Sequence, residues 1–514
     1  MQGYKHIVRV FALLCVLCVS VVKLNAQKTA KPVPPLYFDK GKLIYTPDSL
    51  NNRIPDFSYC GYKASEQAIP TLSIKVVVPV AKGDATIRIQ AALDYVATLS
   101  PDANGFRGTV LLQKGTYEVF GQLCIAASGV VLRGSGINAT TIVGAGTGRL
   151  ALIKIMGKNE IPKDMFGSKI KEAYVPVGAM SFQVDSSIAF KSHSNKIIIR
   201  RPSTQKWINT LGTEIFGGGI AALGWKPGDR DLYFDRTITK IEGNTIFIDA
   251  PITTALDTTY GGATFYFYNN NGGRISNSGV ENIKLISAFD KANTKDEDHR
   301  WNAINIENAE DCWVRQISFE NFAGSAVSVL ETSKTITVED CISKNPVSEI
   351  GGQRRYTFLT TGQQILFQRC YAESGYHDFA VGYCAPGPNA FVQCESILPY
   401  SFSGAIDSWA SGVLFDVVNI DGNALRFGNR EQDGNGAGWA AANSVFWNCT
   451  AARIDCYKPP TAQNYSFGSW AQFSGDGYWG ESNNTITPRS LFYQQLKERL
   501  NKNVDVQAQL LFVP

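Results

Sequence analysis

A short apolar pattern recurs along the second half of the chain at intervals of roughly 24 residues, a period typical of solenoid repeats. Each copy has an apolar residue, two mostly polar residues and then a second apolar residue or a Cys. The seven copies are Val280–Ile283, Val314–Ile317, Val338–Cys341, Phe367–Cys370, Phe391–Cys394, Phe415–Val418 and Phe446–Cys449. The spacing between copies is variable, as loop insertions would make it. A unit this short buries its apolar face only by stacking on its neighbours.

This repeat predicts an all-β fold, a right-handed parallel β-helix in which each coil contributes short strands. Leucine-rich repeats have a similar period, but their fixed Leu and Asn positions are missing here. Four cysteines occupy equivalent positions in the repeat, namely Cys341, Cys370, Cys394 and Cys449. We expect them to be small buried core residues, because the chain from residue 27 onward has no CxxC pair and no Cys/His cluster at zinc spacing.

Residues 1–26 have the features of a cleaved secretory signal peptide. Basic Lys5 and Arg9 precede the apolar run 11–22, which is too short to cross a bilayer, and Ala26 offers a cleavage site. Removal of this segment takes away three of 49 cations and none of 45 acids, so the mature charge is 46 − 45 = +1. We therefore expect a secreted or periplasmic protein with no membrane span and no nucleic-acid partner.

Helical patterns occur near both ends of the chain. Asp84 can cap a helix over 87–99 that places Ile87, Ala91 and Val96 on one side, and this helix suits the N-terminal end of a solenoid. Near the C terminus, Thr487 as cap and Pro488 at the first helical position predict a helix to about residue 500. The expected segments are an extended arm (27–80), a cap helix with the first coils (81–150), a β-rich insertion (151–265), the main β-helix (266–475) and a C-terminal tail with a helix (476–514).

The run from Gly83 to Asp94, followed by Gly115-Thr116-Tyr117, resembles the N-terminal cap and first coils of the pectate lyase superfamily. The resemblance covers about 81–145 by motif and 266–475 by coil rhythm, and it implies the pectin-lyase-like β-helix. That superfamily includes polysaccharide lyases, glycoside hydrolases, phage-type depolymerases, sugar epimerases and non-catalytic adhesins.

The motifs of two well-known branches of that superfamily do not match this chain. The Asn-Thr-Asp, Asp-Asp, Gly-His-Gly and Arg-Ile-Lys motifs of polygalacturonases are absent. Calcium-dependent pectate lyases have an Arg-x-Pro-x-x-Arg motif. The most similar segment of this chain, from Arg200 to Gln205, has Gln at the position of the final Arg. The chain therefore resembles a separate subfamily, and no catalytic residue is carried over from the resemblance.

Cationic, carboxylate and aromatic residues cluster beside the strand runs of several coils, where equivalent positions stack into a row along the solenoid. The candidate catalytic residues are His377, Asp378, Arg355 and Asp407. The candidate substrate-binding residues are His299, Arg300, Arg354, Tyr356, Trp409, Arg426, Arg430 and Trp439. This mixture of side chains, on a scaffold whose groove matches an extended polymer, indicates a polysaccharide or oligosaccharide substrate.

Two chemistries fit these residues. β-Elimination from a uronic acid needs a cation on the carboxylate, a base for the C5 proton and an acid for the leaving oxygen. The candidate cations are Arg300, Arg354, Arg355 and Arg426, the candidate bases are His377 and His299, and the candidate acids are Tyr356 and Tyr376. Hydrolysis needs two carboxyl groups roughly 5 to 9.5 Å apart. Asp378 and Asp407 lie one or two coils apart, or about 5 to 10 Å at ~4.8 Å per coil.

Our leading hypothesis is a lyase that cuts an acidic glycan by β-elimination. A glycoside hydrolase that uses Asp378 and Asp407, and a non-catalytic glycan-binding or surface interaction protein, are the alternatives. His377 and Asp378 need not share a site, because neighbouring residues of a strand face opposite sides. The acidic run 296–298 has the oxygen ligands that Ca²⁺ prefers, so a calcium site is an alternative there to a solvated loop.

Overall fold

Short parallel strands repeat coil after coil and pair within three columns. The computed structural model describes residues 33–158, 167–185, 194–269 and 273–505. All of its helices and strands lie in the unit that begins at Leu36. The predicted signal peptide, 1–26, lies outside the described residues. None of the described helices combines the length and the hydrophobicity that a bilayer crossing requires.

The columns are defined by strand pairing between successive coils. The first column contains Ile74–Val78, Gly108–Leu112, Val130–Arg133, Thr337–Glu339, Leu366–Gln368, Pro386–Val392, Ala410–Asp416, Ala441–Ala442, Val445–Trp447, Tyr465–Phe467 and Tyr478–Gly480. The second contains Gly115–Val119, Thr140–Gly144, Ile342–Lys344, Tyr371–Glu373 and Glu395–Ile397. The third contains Leu123–Ile125, Ile153–Met156, Ile304–Glu307, Val327–Val329, Phe358–Thr360, Phe379–Val381 and Ser403–Ala405.

Several longer strands run through two columns of their coil. Gly279–Ser287 and Trp313–Glu320 belong to the first and second columns. Asn419–Phe427, Thr450–Cys456 and Trp470–Ser474 belong to the second and third. A separate parallel pair joins Ile275–Ser276 to Ala309–Glu310. A single helical turn, Asp433–Gly436, lies in a loop after the strand Asn419–Phe427.

The repeated apolar pattern is in register across the first column. The first residue of each copy pairs with that of the next copy, in the order Val280, Val314, Val338, Phe367, Phe391, Phe415 and Phe446. All seven are buried, and the rings of Phe367 and Phe391 stack with centroids 5.0 Å apart. Each buried Phe contributes about 1.5–3 kcal/mol. The predicted parallel β-helix is confirmed.

The cysteine prediction is confirmed as well. Cys341, Cys370, Cys394 and Cys449 are free thiols in the main core, each 2% exposed or less. They fill the apolar-pattern position that Ile or Val fills in other coils.

Helix α1, Thr86–Thr98, lies against the first coils. The predicted cap is wrong by one residue: Ala85 is the N-cap and forms no side-chain capping hydrogen bond, whereas Asp84 Oδ1, one residue earlier, accepts a hydrogen bond of 2.9 Å from Thr86 N. The predicted apolar side is wrong at Ile87, which is 81% exposed, and at Ala91, which is exposed as well. The buried face is instead Ile89, Ala92, Leu93 and Val96, because these positions follow the helical period on the side that meets the coils. That α1 closes the end of the solenoid stays a prediction.

A lobe of antiparallel strands, which we call the side lobe (residues 168–267), packs against the solenoid. Its sheet has the order Ser168–Lys169, Thr264–Phe267, Lys196–Arg201, Leu232–Glu242, Thr245–Ile248 and Ser181–Gln183. Tyr174–Val175 and Leu256–Asp257 form a further pair. Helix α2, Gln205–Leu211, begins after Thr204, whose hydroxyl accepts from Trp207 N. Single 3₁₀ turns lie at Gly217–Gly219, Ala221–Leu223 and Thr258–Tyr260.

The N-terminal arm and helix α3, Leu491–Leu500, cover one face of the solenoid together. The arm contains an antiparallel hairpin and two 3₁₀ turns, at Leu36–Asp39, Lys42–Tyr45, Phe57–Tyr59 and Tyr62–Ser65. The predicted start of α3 at Thr487 is wrong. Ser490 is the N-cap instead, because its hydroxyl accepts from Tyr493 N at 3.2 Å.

Candidate functional site

A cavity of about 520 Å³ lies between the side lobe and the third column of the solenoid. The side lobe contributes Asp229, Arg230, Asp231, Tyr233, Asp235 and Tyr266, and the solenoid contributes Glu331, Gln353, Gln363, Tyr383, Asp407 and Ser408. Cavities of this size and mixed polarity are typical of small-molecule and oligosaccharide sites. We call it the lobe cavity.

Asp407 is the predicted catalytic residue that lies in this cavity. It follows the third-column strand Ser403–Ala405 and is 8% exposed. Its Oδ1 accepts hydrogen bonds from Ser408 N at 2.6 Å and from Ser408 Oγ at 2.8 Å. Burial raises the pKa of Asp407 above its ordinary value, although Ser408, Arg230 and Arg430 act in the opposite direction. This carboxyl group is therefore able to hold or accept a proton closer to neutral pH than a surface Asp.

Two arginines flank Asp407 from different elements. Arg230 of the side lobe donates from Nε to Ser408 Oγ at 2.8 Å and lies over the Trp225 ring at 5.5 Å. Arg430 donates to Ile406 O, lies over Phe402, and its Nε is buried without a hydrogen bond. Within the described ranges, neither guanidinium forms an ion pair with a carboxylate. Both retain the capacity to bind an anion.

His377 lies in an aromatic cluster beside these groups. Its ring centroid is 5.1 Å from Tyr356, 4.6 Å from Tyr376 and 4.4 Å from Phe402. Nδ1 bonds to Phe402 O at 2.5 Å, and no described residue offers Nε2 a hydrogen bond. Burial is the main cause that lowers the pKa of His377 to about 4, so its imidazole is neutral at neutral pH.

Tyr356 belongs to this cluster, and Tyr383 lines the lobe cavity together with Asp407. Burial is the main cause that raises the pKa of Tyr356, and the nearby charges of Tyr383 and Asp407 add to it. Tyr383 is 43% exposed at the cavity wall, and burial of its hydroxyl together with Asp407 raises its pKa. Both phenols therefore keep their protons at neutral pH.

Asp378 points away from His377, into the interior of the solenoid. It is fully buried, and its two oxygens accept from Thr357 Oγ1 at 2.5 Å and from Ser396 Oγ at 2.6 Å. Burial raises the pKa of Asp378 to about 6. His377 and Asp378 both lie in the bend before the strand Phe379–Val381, and their side chains have separate hydrogen-bond partners.

The structure does not bring Asp378 and Asp407 together as the hydrolase hypothesis expects. Ala380 pairs with Gly404, so Asp378 lies before the third-column strand of its coil and Asp407 lies after the strand of the next coil. The three residues of that strand span about 10 Å at ~3.3 Å per residue. The expected distance of about 5 to 10 Å between Asp378 and Asp407 was based only on the number of coils between them. It did not include their displacement along the strand direction.

Three predicted site residues are held inside the protein by their own hydrogen bonds. His299 Nδ1 bonds to Ser287 Oγ at 2.7 Å, and its Nε2 lies 3.0 Å from Val347 O. Arg300 donates to the carbonyl oxygens of residues 120 and 145, and Arg355 donates to Ser348. All three are at most 6% exposed, which leaves them no face for a substrate.

The remaining predicted binding residues also have internal partners. Arg354 forms an ion pair with Glu297, and Arg426 lies 3.8 Å from Asp455. Trp409 is fully buried with its ring against Trp207, and Trp439 Nε1 donates to Leu211 O at 3.1 Å. The tryptophans join the solenoid to the side lobe, so Trp409, a predicted binding residue, has no exposed ring face for a substrate.

The acidic run 296–298 uses its carboxylates for local contacts. Asp296 accepts from Asp290 N and Asp298 N, Glu297 pairs with Arg354, and Asp298 accepts from Gly148 N. In the described part of the chain, no group of three or more His, Cys, Asp and Glu side chains is arranged to hold a metal ion.

Sequence reasoning missed Arg230 and Tyr383. Arg230 lies far before Asp407 in the chain, in a lobe without repeat rhythm, so no spacing linked the two. Tyr383 carries a detectable signal, because it follows the strand Phe379–Val381 by two residues, as Asp407 follows Ser403–Ala405. Sequence reasoning considered residues that precede the strands. A comparison of the residues that follow each strand would also have identified Tyr383.

Comparison with known sequences gives little about function. A family model described as a domain of unknown function (DUF6298) matches residues 477–514, a stretch that includes the strand Tyr478–Gly480 and α3. No curated protein matches the chain.

Solved structures with a similar backbone fold include the following three. ORF18 of Geobacillus virus E2 is 12% identical, with 80% of this chain and 60% of that chain covered and a TM-score of 0.38. The gp54 tailspike of Acinetobacter baumannii bacteriophage AP22, solved with a capsular saccharide, is 11% identical, with coverages of 78% and 56% and a TM-score of 0.39. The polygalacturonase of Erwinia carotovora is 11% identical, with coverages of 82% and 87% and a TM-score of 0.33.

These similarities carry no argument about activity at such low identities and TM-scores. The chain also spans only about 60% of the first two of these proteins.

Proposed function

We propose that this protein degrades an acidic, uronate-containing polysaccharide by β-elimination in the lobe cavity. The observation that carries this proposal is the placement of Arg230 and Arg430 on either side of Asp407, without a carboxylate partner in the described ranges. A guanidinium that is partly removed from water and forms no direct ion pair gains from an anionic ligand. A uronate carboxylate supplies that anion.

Each chemical requirement of elimination has a candidate group in the cavity. Arg230 at the cavity wall neutralises the uronate carboxylate, and Arg430, which donates to Ile406 O next to Asp407, adds positive charge nearby. This positive charge makes the C5 proton more acidic. Asp407 accepts that proton, and its raised pKa makes it a stronger base than a surface carboxylate. Tyr383 donates its phenolic proton to the leaving oxygen as the C4–O bond breaks and the C4–C5 double bond forms. Solvent then returns the proton balance between Asp407 and Tyr383.

His377 is the second candidate base. Its free Nε2 and its neutral state fit proton abstraction, and Tyr356 lies beside it as a candidate acid. His377 is only 2% exposed, whereas Asp407 lies at the wall of the cavity. We therefore assign the base to Asp407 and a positioning role to His377, which packs against the Phe402 ring that also supports Arg430.

A glycoside hydrolase is the alternative activity. The observation that favours it is that Asp229, Asp231 and Glu331 line the same cavity as Asp407. A carboxyl group with a raised pKa is a general acid for hydrolysis, and one of these three would be the second carboxylate. In this version of the hydrolase hypothesis, Asp407 is paired with one of these three residues and no longer with Asp378.

Incubation of the purified protein with a panel of uronate polymers tests the proposal. Elimination produces unsaturated ends that absorb ultraviolet light, and its products are one water lighter than hydrolytic products. We expect the chromophore with the native protein and its loss with Asp407→Asn. Reducing sugar without the chromophore supports the hydrolase, and binding without any product supports a non-catalytic glycan-binding protein. Residues 1–26 predict export of the protein. An exported enzyme would meet such a polysaccharide outside the cytoplasm.

A further inference from the structure

The segment 200–204, which is similar to part of the pectate lyase motif Arg-x-Pro-x-x-Arg, contacts the loop that carries Arg230. This loop, residues 228–231, contributes all four of its residues to the lining of the lobe cavity, and we call it the arginine loop. Arg230 is the cation that we assign to the uronate carboxylate. The position of the arginine loop therefore decides where the charge of the substrate is held.

Ser203 joins this segment to the arginine loop. Its hydroxyl oxygen accepts hydrogen bonds of 3.1 Å from Gly228 N and of 3.1 Å from Arg230 N. Ser203 is only 1% exposed, so these bonds are shielded from water. One short side chain thus ties down the backbone on both sides of Asp229.

Asp231, at the end of the arginine loop, holds Ser203 in place. Its Oδ1 accepts from Ser203 Oγ at 2.9 Å and from Ser203 N at 2.7 Å, and its Oδ2 accepts from Arg200 Nε at 2.7 Å. Asp231 is 8% exposed, and both of its oxygens are engaged. A hydroxyl offers one donor and two acceptor sites, so the bonds of Ser203 to Asp231, Gly228 and Arg230 use all of them.

The guanidinium of Arg230 is held at the other end of the side chain. Its Nε donates to Ser408 Oγ at 2.8 Å, and it lies over the buried ring of Trp225 at 5.5 Å. Arg230 is therefore fixed at its backbone by Ser203 and at its guanidinium by Ser408 and Trp225. A shift of the backbone would move the guanidinium away from Ser408, whose hydroxyl donates to Asp407 Oδ1.

We propose that Ser203 and Asp231 are positioning residues of the lobe cavity, which act on the substrate through Arg230. This inference rests on the proposed function and names the groups that set its binding cation. It also removes Asp231 from the carboxylates that the hydrolase alternative could use, and leaves Asp229 and Glu331.

A double-mutant cycle tests this role. We expect Ser203→Ala to lower kcat/KM on a uronate polymer roughly threefold to tenfold, which corresponds to about one net hydrogen bond. In the Arg230→Ala background, the same substitution should change kcat/KM by less than about twofold, because residues that act through one group are not additive. Thr204→Ala is the matched control. The Thr204 hydroxyl caps α2 and donates to Tyr260 O, outside the arginine loop, so we expect its removal to leave kcat/KM unchanged.

Binding is measured for the same variants by calorimetry, with a uronate trisaccharide and with its carboxyl-reduced form. We expect Ser203→Ala to weaken binding of the trisaccharide and to leave binding of the reduced form unchanged, because the reduced form has no anion for Arg230. If Ser203→Ala does not fold, Asp231→Asn, which keeps an acceptor for Ser203, takes its place in the cycle.

The outcomes separate this inference from the proposed function. Equal losses with and without Arg230, or equal losses for the two trisaccharides, overturn the positioning role and leave the elimination chemistry standing. Coupled losses in binding without the ultraviolet chromophore overturn elimination and support the positioning role. A native protein that neither binds the trisaccharide nor forms product overturns both proposals.

Discussion

Arg230 Nε in the side lobe donates a hydrogen bond of 2.8 Å to Ser408 Oγ in the solenoid. The hydroxyl of Ser408 in turn donates to Asp407 Oδ1 at 2.8 Å. The orientation of Asp407 therefore depends on a residue from a part of the chain that lacks the coil repeat. This contact joins the binding cation to the carboxyl group that we assign as the base.

Replacement of Arg230 by Ala tests the binding role of this cation. A hydrogen bond to a charged group contributes about 1.5–3 kcal/mol, so we expect kcat/KM on a uronate polymer to fall roughly 10- to 100-fold. Arg149→Ala is the matched control, because the Arg149 side chain is 59% exposed and pairs with Glu297 away from the cavity. An equal loss in both variants would contradict the assignment.

The pH dependence of activity distinguishes the two roles of Asp407. The pKa of Asp407 is raised, so as a base it becomes active only as the pH rises above the range of an ordinary Asp. We expect kcat/KM of the lyase to increase with pH through this titration. If Asp407 is instead the general acid of a hydrolase, activity decreases as the pH rises through the same titration. Initial rates between pH 4 and pH 8 on one polymer decide between them.

His377→Gln tests the positioning role of this residue. Loss of a general base typically costs about 10²- to 10⁴-fold in rate. Since we assign the base to Asp407, we expect a loss of no more than about tenfold and an unchanged shape of the pH profile. Tyr376→Phe, which keeps the ring against His377, is the control for packing. A loss of several orders of magnitude with His377→Gln alone would make His377 the base.

Asp378 should make stability depend on pH. Its pKa is about 6 in the folded protein and 3.8 ordinarily, so folding favours the protonated form. The free energy of unfolding therefore falls as the pH rises from about 4 to about 6, by at most about 3 kcal/mol from this group. Asp378→Asn should flatten this part of the profile in urea unfolding, whereas the exposed carboxylate control Asp421→Asn should not. Identical profiles for both variants would contradict burial of an ionisable Asp378.

Asp416 should anchor the C-terminal helix. Its Oδ2 accepts from Ser490 Oγ at 2.5 Å and from Phe492 N at 2.8 Å, at the first turn of α3. We expect Asp416→Ala to lower the free energy of unfolding by about 1–3 kcal/mol, because it leaves buried donors without an acceptor. Hydrogen exchange in 491–500 should accelerate as well. Lys497→Ala, on the exposed side of the same helix, is the control and should change neither measurement.

The coil repeat predicted much of the fold because it is a local property of the sequence. Val280 and Phe446 stand in the first and last copies of the repeat, yet both follow the same apolar pattern and lie in the same column. Each intervening coil repeats that pattern, so stacking one coil on the next fixes the register. The face of α1 was harder to predict, because a helix with apolar residues on several sides is oriented only by the surface on which it packs.

The sequence by itself determined a solenoid with a buried column of apolar rings and thiols, since any coil of this length must bury that face on its neighbours. It also brought Asp407, His377 and Arg430 into one candidate site. Only the tertiary structure decided that Asp378 faces inward, that Trp409 belongs to the wall between lobe and solenoid, and that Arg230 reaches Ser408. These depend on the side from which the side lobe packs, and contacts between segments so distant in the chain leave no period or spacing in the sequence.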